Sequence, residues 1–211
     1  MTRSGEESVR PATWLLFDFG NVLSTFTYEP FLEFLAAHSA RDEAEVRRLF
    51  RDEGGLLDLY ETGRIGTRKF LAGIRREISP GASVAEIRSR FCGIFVNDAD
   101  AIAAVRAAGS RFRIAVVSNT NPLHYRHTMR PLLSGLVDLY ILSHRIGIKK
   151  PERGVFDRFL STARTIPELC WFFDDMEENV RAARSAGIDA HLVTGSRRLP
   201  QLLRDLDLLP G

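Results

Sequence analysis

Acidic, hydroxyl and amide side chains follow three short apolar runs of this 211-residue sequence. Asp18 comes directly after the first run, Ser118 and Asn119 end the second, and Asp174 with Asp175 ends the third. A carboxylate can attack phosphorus as a nucleophile, and further carboxylates are the oxygen ligands that Mg²⁺ prefers and shares with phosphate. Hydroxyl and backbone N–H groups offset charge on phosphoryl oxygens. Together, these residue types favour phosphoryl-group chemistry.

A lysine pair, Lys149 and Lys150, precedes Pro151 shortly after a further apolar run. An ammonium group there can neutralise phosphate. Each of these four signals also has an ordinary structural explanation. An aspartate after a strand often caps a turn or helix, an acidic pair complements a helix dipole, and adjacent lysines are usually solvated. Their common position, at or close after the ends of apolar runs, favours the chemical interpretation over four separate coincidences.

The apolar runs predict the strands that would bring these side chains together. Each run is short, rich in buried residue types and bounded by turn residues, which is typical of a strand in a parallel sheet. The runs are 14–17, 114–117, 139–142, 170–173 and 190–193. Helical patterns alternate with them, so we expect right-handed crossovers and an open parallel sheet. Ligands bind such sheets at the carboxyl ends of the strands.

Helical periodicity covers most of the remaining chain. Asp98 is placed to begin one helix and Gly109 to end it, a second helix is predicted over 151–163, and a third ends at Gly187. The segment 28–97 shows helical patterns alone, and we find no convincing strand in it. The sequence therefore predicts a core domain formed by 1–27 and 98–211, with a helical cap, 28–97, inserted after the first strand.

Composition excludes several other classes of protein. Hydrophobic residues make up 45% and charged residues 27%, and the net charge is only +2, so no basic footprint for nucleic acid or an anionic membrane is expected. The polar segment 1–12 does not resemble a secretory signal. Cys92 and Cys170 lack metal-ligand spacing, and a disulfide between them is not expected. We expect a cytoplasmic protein, either a monomer or a homodimer.

Four motifs resemble those of the haloacid dehalogenase superfamily of hydrolases, over nearly the whole chain. They are Phe17 to Leu23, Val117 to Asn121, Gly147 to Glu152, and Phe173 to Asp175 with Asn179 downstream. The resemblance implies a Rossmann-like, doubly wound parallel sheet with a small α-helical cap. Within the superfamily, the Asp-x-Gly-Asn-Val and Ser-Asn-Thr-Asn-x-Leu-His forms are most similar to bacterial phosphatases acting on glucose 1-phosphate and similar sugar phosphates.

The resemblance also implies a role for each residue of the motifs. Asp18 would be the nucleophile and a ligand of the cofactor Mg²⁺. Lys150, which directly precedes the proline, would neutralise phosphate and nucleophile, and Lys149 is the less favoured of the two. The other implied roles are metal binding for Gly20 (through its carbonyl), Asp174 and Asp175, substrate binding for Gly20, Asn21, Ser118 and Asn119, and orientation of the acidic pair for Asn179.

Position 20 departs from the usual family pattern. Most phosphatases of this family carry there a second aspartate that protonates the leaving oxygen and later activates water, whereas this chain has Gly20. Such assistance is worth ~10²–10⁴-fold in rate. Three explanations account for the missing aspartate. The leaving group needs little protonation, or His124, His127 or a cap residue such as Tyr28 takes over the role of the aspartate. In the third, the chain binds a phosphorylated ligand and turns it over weakly.

The cap is expected to close over the site and to supply specificity. Tyr28, Glu61, Arg64 and Phe95 are the candidate contacts from the cap or its hinges. A cap of this size predicts a small phosphorylated metabolite as substrate. Dehalogenation of short halo-acids and ligand binding without catalysis are the alternatives, and Gly20 and the acidic pair 174–175 argue against dehalogenation.

Overall fold

A five-stranded parallel sheet occupies the centre of the fold, in a computed structural model that describes residues 13–209. The prediction for segment 1–12 lies outside the described residues. Its strands are β1 Trp14–Phe17, β4 Arg113–Ser118, β5 Leu139–Leu142, β6 Cys170–Asp174 and β7 Asp189–Leu192. They stand side by side in the order β5-β4-β1-β6-β7. The order places β1 between two strands that lie far away along the chain.

Strand β1 is apolar throughout because both of its faces are covered. Leu15 and Phe17 point to one core cluster, and Trp14 and Leu16 point to the cluster on the other face. Helices pack on both sides of the sheet, which confirms the predicted doubly wound α/β fold. In the register of the sheet, Phe17 stands opposite Val116 and Phe173. The residues after β1, at the end of β4 and at the end of β6 therefore meet at one edge.

The core helices begin and end near the predicted positions. Asp98 caps helix α6, Ala99–Ala108, by accepting hydrogen bonds from the backbone N–H groups of Asp100 and Ala101, and Gly109 ends the helix. The core helices are α6 Ala99–Ala108, α7 Pro122–His124, α8 Arg130–Leu132, α9 Ser143–Ile146, α10 Gly154–Ala163, α11 Glu177–Ser185 and α12 Leu199–Asp205. A π-helical turn, Tyr125–Met129, joins α7 to α8. Within residues 13–209, no helix has the length and apolar character needed to cross a bilayer.

Five helices form the cap and enclose a separate hydrophobic core. They are α1 Glu29–Ala37, α2 Glu43–Arg51, α3 Leu56–Glu61, α4 Thr67–Gly73, which continues as a π-helical turn to Ile78, and α5 Val84–Cys92. Fully buried rings, Phe31, Phe50, Tyr60, Phe70 and Phe91, fill this second core. Each of these helices buries an apolar face, which accounts for the helical pattern of the sequence in this segment.

The prediction that 28–97 contains no strand is wrong at its end. Phe95–Asn97 forms strand β3, which pairs antiparallel with β2, Ser24–Phe26. These two short strands are the two connections between core and cap. Their pairing comes from backbone hydrogen bonds between segments about seventy residues apart. The side chain of Val96, in the middle of β3, is 69% exposed. Three residues without alternating burial give no periodic signal in the sequence.

Candidate active site

Three charged side chains form a compact cluster at the carboxyl edge of the sheet. The ammonium of Lys150 lies 3.0 Å from Asp18 Oδ1 and 2.5 Å from Asp174 Oδ2. Lys150 and Asp174 are buried, and the Asp18 side chain is 14% exposed. Asp18 follows β1 and Asp174 ends β6, so the parallel register brings the two carboxylates together. Lys150 reaches them from the loop after α9.

The side chain of Asn119 holds the backbone of Lys150 in place. Its amide donates to the carbonyl of Lys150 at 2.9 Å, and its oxygen accepts from the N–H of the same residue at 2.8 Å. The peptide bond between Lys150 and Pro151 is cis. Both polar ends of the Asn119 side chain are therefore used to position the lysine, while Asn119 and the buried Ser118 also line the site cavity.

The acidic pair after β6 is divided between two environments. Asp174 Oδ1 accepts from the amide of Asn179 at 2.8 Å and from the N–H of Met176 at 2.9 Å. Asp175 Oδ2 accepts from the amide of Asn21 at 2.9 Å. Asn21 has φ 56, a left-handed conformation that asparagine tolerates better than most residues. The structure thus brings the predicted residues together, with Asp174 fixed in the interior and Asp175 facing the cavity.

Burial and charge act against each other on the ionisable groups of the cluster. Burial raises the pKa of Asp18 to about 6, although Lys150 lowers it. Burial also lowers the pKa of Lys150, but Asp18 and Asp174 outweigh it and hold that pKa above its usual value. Burial raises the pKa of Asp175, against the hydrogen bond from Asn21. Lys150 therefore stays cationic and is the charge that favours ionised Asp18.

The donor set fits a hard divalent cation. Asp18, Asp174 and Asp175 each offer one carboxylate oxygen, and the three oxygens lie within 4.8 Å of one another. Asp18 Oδ1 is buried beside the ammonium of Lys150. Oxygen ligands with carboxylate charge are those that Mg²⁺ prefers. The backbone carbonyl of Gly20 remains a prediction as a further ligand.

A cavity of about 430 Å³ lies between this cluster and the cap. From the predicted cap contacts, Tyr28, Glu61 and Phe95 line it, and Arg64 does not. The cavity is also lined by Arg51 at the end of α2, which the sequence patterns did not single out. In the sequence, an arginine on the polar face of an amphipathic helix looks the same whether it is solvated or faces a cavity.

Phe26 occupies the space beside Gly20. A Cβ atom placed on Gly20 would lie 2.5 Å from Cε1 of the Phe26 ring. That ring packs against Tyr28 and Phe95, with ring centroids 5.6 and 5.5 Å apart. The aspartate that the family commonly carries at this position therefore has no room here unless Phe26 moves. Phe26 lies in β2, the strand that the sequence patterns missed, so its role was missed as well.

The two candidate histidines lie in different places. His124 lines the cavity but is buried, with Nδ1 3.0 Å from the amide of Asn121 and Nε2 2.9 Å from the carbonyl of Phe91. Since a carbonyl only accepts, Nε2 carries the proton and Nδ1 accepts. Burial lowers the pKa of His124 to about 4. His127 is exposed and lines a separate groove beside Cys92. Neither histidine has a free proton directed at Asp18.

Fold and site together define a capped α/β enzyme whose centre combines a partly exposed carboxylate, a buried ammonium and a cluster of carboxylate oxygens. The family model for haloacid dehalogenase-like hydrolases matches residues 13–187. The chain therefore belongs to the haloacid dehalogenase-like hydrolase family. This assignment confirms the resemblance that the four motifs predicted.

Known proteins of similar sequence or fold align with the chain over almost their entire length. The chain is 27% identical to Phosphatase MT3486 from Mycobacterium tuberculosis over 92% of this chain and 94% of the relative. A HAD family enzyme from Bacteroides thetaiotaomicron, in complex with magnesium and inorganic phosphate, aligns with a TM-score of 0.82, 21% identity, and coverage of 92% and 100%. A HAD-like family hydrolase from Porphyromonas gingivalis aligns with a TM-score of 0.80, 23% identity, and coverage of 93% and 98%.

Proposed function

We propose that this hydrolase is a Mg²⁺-dependent phosphatase that cleaves a small phosphorylated metabolite through a phosphoaspartate on Asp18. The observation that carries the proposal is the position of Asp18, which lines the cavity while Lys150 lies 3.0 Å behind one of its oxygens. A carboxylate held beside an ammonium group in a partly enclosed cavity is a nucleophile with its charge balanced and its direction fixed. The similarity to Phosphatase MT3486 supports this proposal.

The residues of the chain divide the work of the reaction. A carboxylate oxygen of Asp18 attacks phosphorus while the bond from phosphorus to the leaving oxygen breaks. Lys150 neutralises charge on Asp18 and the transferred phosphoryl group. Ser118 and the backbone N–H of Asn119 bind phosphoryl oxygens. Asp18, Asp175 and Asp174, directly or through water, would hold Mg²⁺, and the ion would supply further neutralisation of charge on the phosphoryl oxygens.

The substrate class follows from the size of the cavity and the residues of the cap. The volume of about 430 Å³ lies in the range of ~300–1,000 Å³ found for small-molecule sites. Arg51 and Glu61 provide polar groups opposite the cluster, while Phe26, Tyr28 and Phe95 provide flat apolar surfaces. Such walls suit a sugar ring, whose faces are apolar and whose edges carry hydroxyl groups. A sugar phosphate such as glucose 1-phosphate is the proposed substrate.

Asp18→Asn tests this function directly. The amide cannot attack phosphorus, so we expect loss of essentially all hydrolysis of phosphorylated metabolites with retained binding of inorganic phosphate. Beryllofluoride should add to wild-type Asp18 only with Mg²⁺ present, as observed by mass spectrometry under native conditions. Asp157→Asn, an exposed change of the same chemistry on α10, is the matched control. Turnover of Asp18→Asn at the wild-type rate would overturn the assignment, and chloride release from 2-chloropropionate would instead indicate a dehalogenase.

A further inference from the structure

The cap contributes one carboxylate to the site cavity among the described residues that line it. This residue is Glu61, the last residue of α3, and it is half-buried. The other carboxylates of the cavity, Asp18 and Asp175, belong to the core and to the cluster around Lys150. Glu61 is therefore separate from the proposed nucleophile and the proposed metal ligands, and it faces the same space from the opposite side.

Three contacts fix the helix that carries Glu61. Asp58, one turn earlier on α3, forms a close ion pair with Lys149 of the core and accepts from the N–H of Gly54 at 3.1 Å. Gly63, with φ 70, turns the chain just after the helix, and a Cβ there would collide with the backbone carbonyl of His144 in the core. The end of α3 is thus held against the core beside Lys150, so the position of Glu61 over the cavity is set by cap–core contacts.

The other groups around the cavity cannot act as the general acid and base that an aspartate at position 20 would provide. Both ring nitrogens of His124 are committed to hydrogen bonds. Burial and the charge of Glu61 raise the pKa of Tyr28 well above its usual value, so the phenol holds its proton and is a poor donor to the leaving oxygen in the first step. The guanidinium of Arg51 offers hydrogen-bond donors and no acceptor. Among the described lining residues, Glu61 is the group on the cap side that can both give and receive a proton.

We propose that Glu61 is the general acid and base of the reaction, delivered by the cap in place of the aspartate that Gly20 and Phe26 exclude. This inference rests on the proposed phosphatase function. In the first step the carboxyl O–H of Glu61 gives its proton to the leaving oxygen as the P–O bond breaks and Asp18 gains the phosphoryl group. In the second step the Glu61 carboxylate takes a proton from water as that water attacks phosphorus, and the bond to Asp18 breaks to release inorganic phosphate.

The electrostatic surroundings favour this double role. Burial raises the pKa of Glu61 to about 7, with Asp58 and Asp18 adding to the effect, while Lys149 and Arg51 oppose it. The neighbouring phenol of Tyr28 is neutral near neutral pH because its pKa is raised. A general acid and base is most effective when its pKa lies near the working pH, because both protonation states are then populated.

Glu61→Gln tests the proposal with two kinds of leaving group. The amide keeps the shape of the side chain but cannot transfer the proton. With the alkyl ester glycerol 3-phosphate, we expect kcat to fall by ~10²–10³-fold. With p-nitrophenyl phosphate, whose leaving group needs no proton, phosphorylation of Asp18 should stay near the wild-type rate and hydrolysis of the phosphoaspartate should slow. A burst of about one nitrophenolate per enzyme, with phosphorylated Asp18 detected after acid quench, is the expected signature.

Controls separate this inference from the proposed function and from misfolding. Glu33→Gln, an exposed change of the same chemistry on α1, should behave like wild type. Glu61→Ala should regain glycerol 3-phosphate turnover with added formate. In the metal-free protein, ¹³C NMR should show the Glu61 carboxyl titrating near 7.

Normal kinetics in Glu61→Gln, no formate rescue, or titration near the usual value of 4.5 would overturn the role of Glu61. Absence of phosphorylated Asp18 in every variant would instead overturn the phosphatase function.

Discussion

The ring of Phe26 stands where a side chain on Gly20 would project, since a Cβ on Gly20 would lie 2.5 Å from Cε1 of that ring. The two positions therefore form a matched pair. A carboxylate at position 20 requires a smaller residue at position 26, and the aromatic ring at position 26 requires glycine at position 20. The absence of the usual aspartate is thus built into the packing of β2 and is not an isolated substitution.

Gly20→Asp alone should fail because the new side chain meets the Phe26 ring. We expect the free energy of unfolding to fall by ~1–3 kcal/mol, as for other overpacked positions, with no gain in turnover of alkyl phosphates. The double variant Gly20→Asp/Phe26→Ala removes the obstruction, so its carboxylate should reach the cavity. Steady-state kinetics on glycerol 3-phosphate, with urea unfolding in parallel, measures both effects.

The same pair of changes offers an independent check on Glu61. Added to Glu61→Gln, the Gly20→Asp/Phe26→Ala pair should restore turnover of glycerol 3-phosphate by at least about 10-fold, within the range of general acid catalysis. Phe26→Ala alone is the control for the loss of the ring. Full stability of Gly20→Asp without the second change would contradict the proposed steric conflict.

Lys150 is expected to matter for both stability and catalysis. Lys150→Met leaves the carboxylates of Asp18 and Asp174 without their ammonium partner in a buried site. Breaking a buried ion pair from one side costs about 3–5 kcal/mol. The double variant Lys150→Met/Asp174→Asn removes one unpaired charge and should recover part of that loss, while both variants stay inactive. Urea unfolding and phosphatase assays on the same samples separate the two effects.

Lys149 provides the comparison for Lys150. Its side chain is 37% exposed and its ion pair with Asp58 connects core and cap. Lys149→Met should therefore destabilise the protein by less than Lys150→Met and leave measurable turnover. Equal losses of stability in the two single variants would contradict the central position assigned to Lys150.

Asn21 combines a backbone role with a side-chain role, and two substitutions separate them. Its left-handed conformation, φ 56, suits glycine but not alanine. Its amide orients Asp175 at 2.9 Å. Asn21→Ala should lose about 1–2 kcal/mol more stability than Asn21→Gly, whereas both should weaken Mg²⁺ binding by ~10–100-fold, as for other partners of metal ligands. Urea unfolding without metal and calorimetric titration with Mg²⁺ give the two quantities. Unchanged Mg²⁺ affinity in both variants would remove Asn21 from the metal site.

The central sheet could be predicted because each of its strands contains a short apolar run, and three of these runs lead directly into polar residues. Asp18, Ser118 and Asp174 could therefore be assigned to one edge from residue types and their order alone. The pairing of β2 with β3 could not be predicted, since it joins segments that carry no periodic pattern. The obstruction of Gly20 by Phe26 and the position of Arg51 over the cavity depend on that pairing and on the packing of the cap. Both are consequences of three-dimensional contacts between segments that are distant along the chain.

His124 should make the protein sensitive to acid. Burial lowers its pKa from 6.5 to about 4, so between these values the unfolded chain binds a proton that the folded protein does not. His124 therefore makes its full contribution to the free energy of unfolding above pH 6.5. As the pH falls towards 4, the free energy of unfolding decreases by about 3 kcal/mol because of this group. His124→Gln lacks the titrating ring, so the stability difference between wild type and variant should shrink across this window in urea unfolding. A difference that stays constant with pH would show that folding does not lower the pKa of His124.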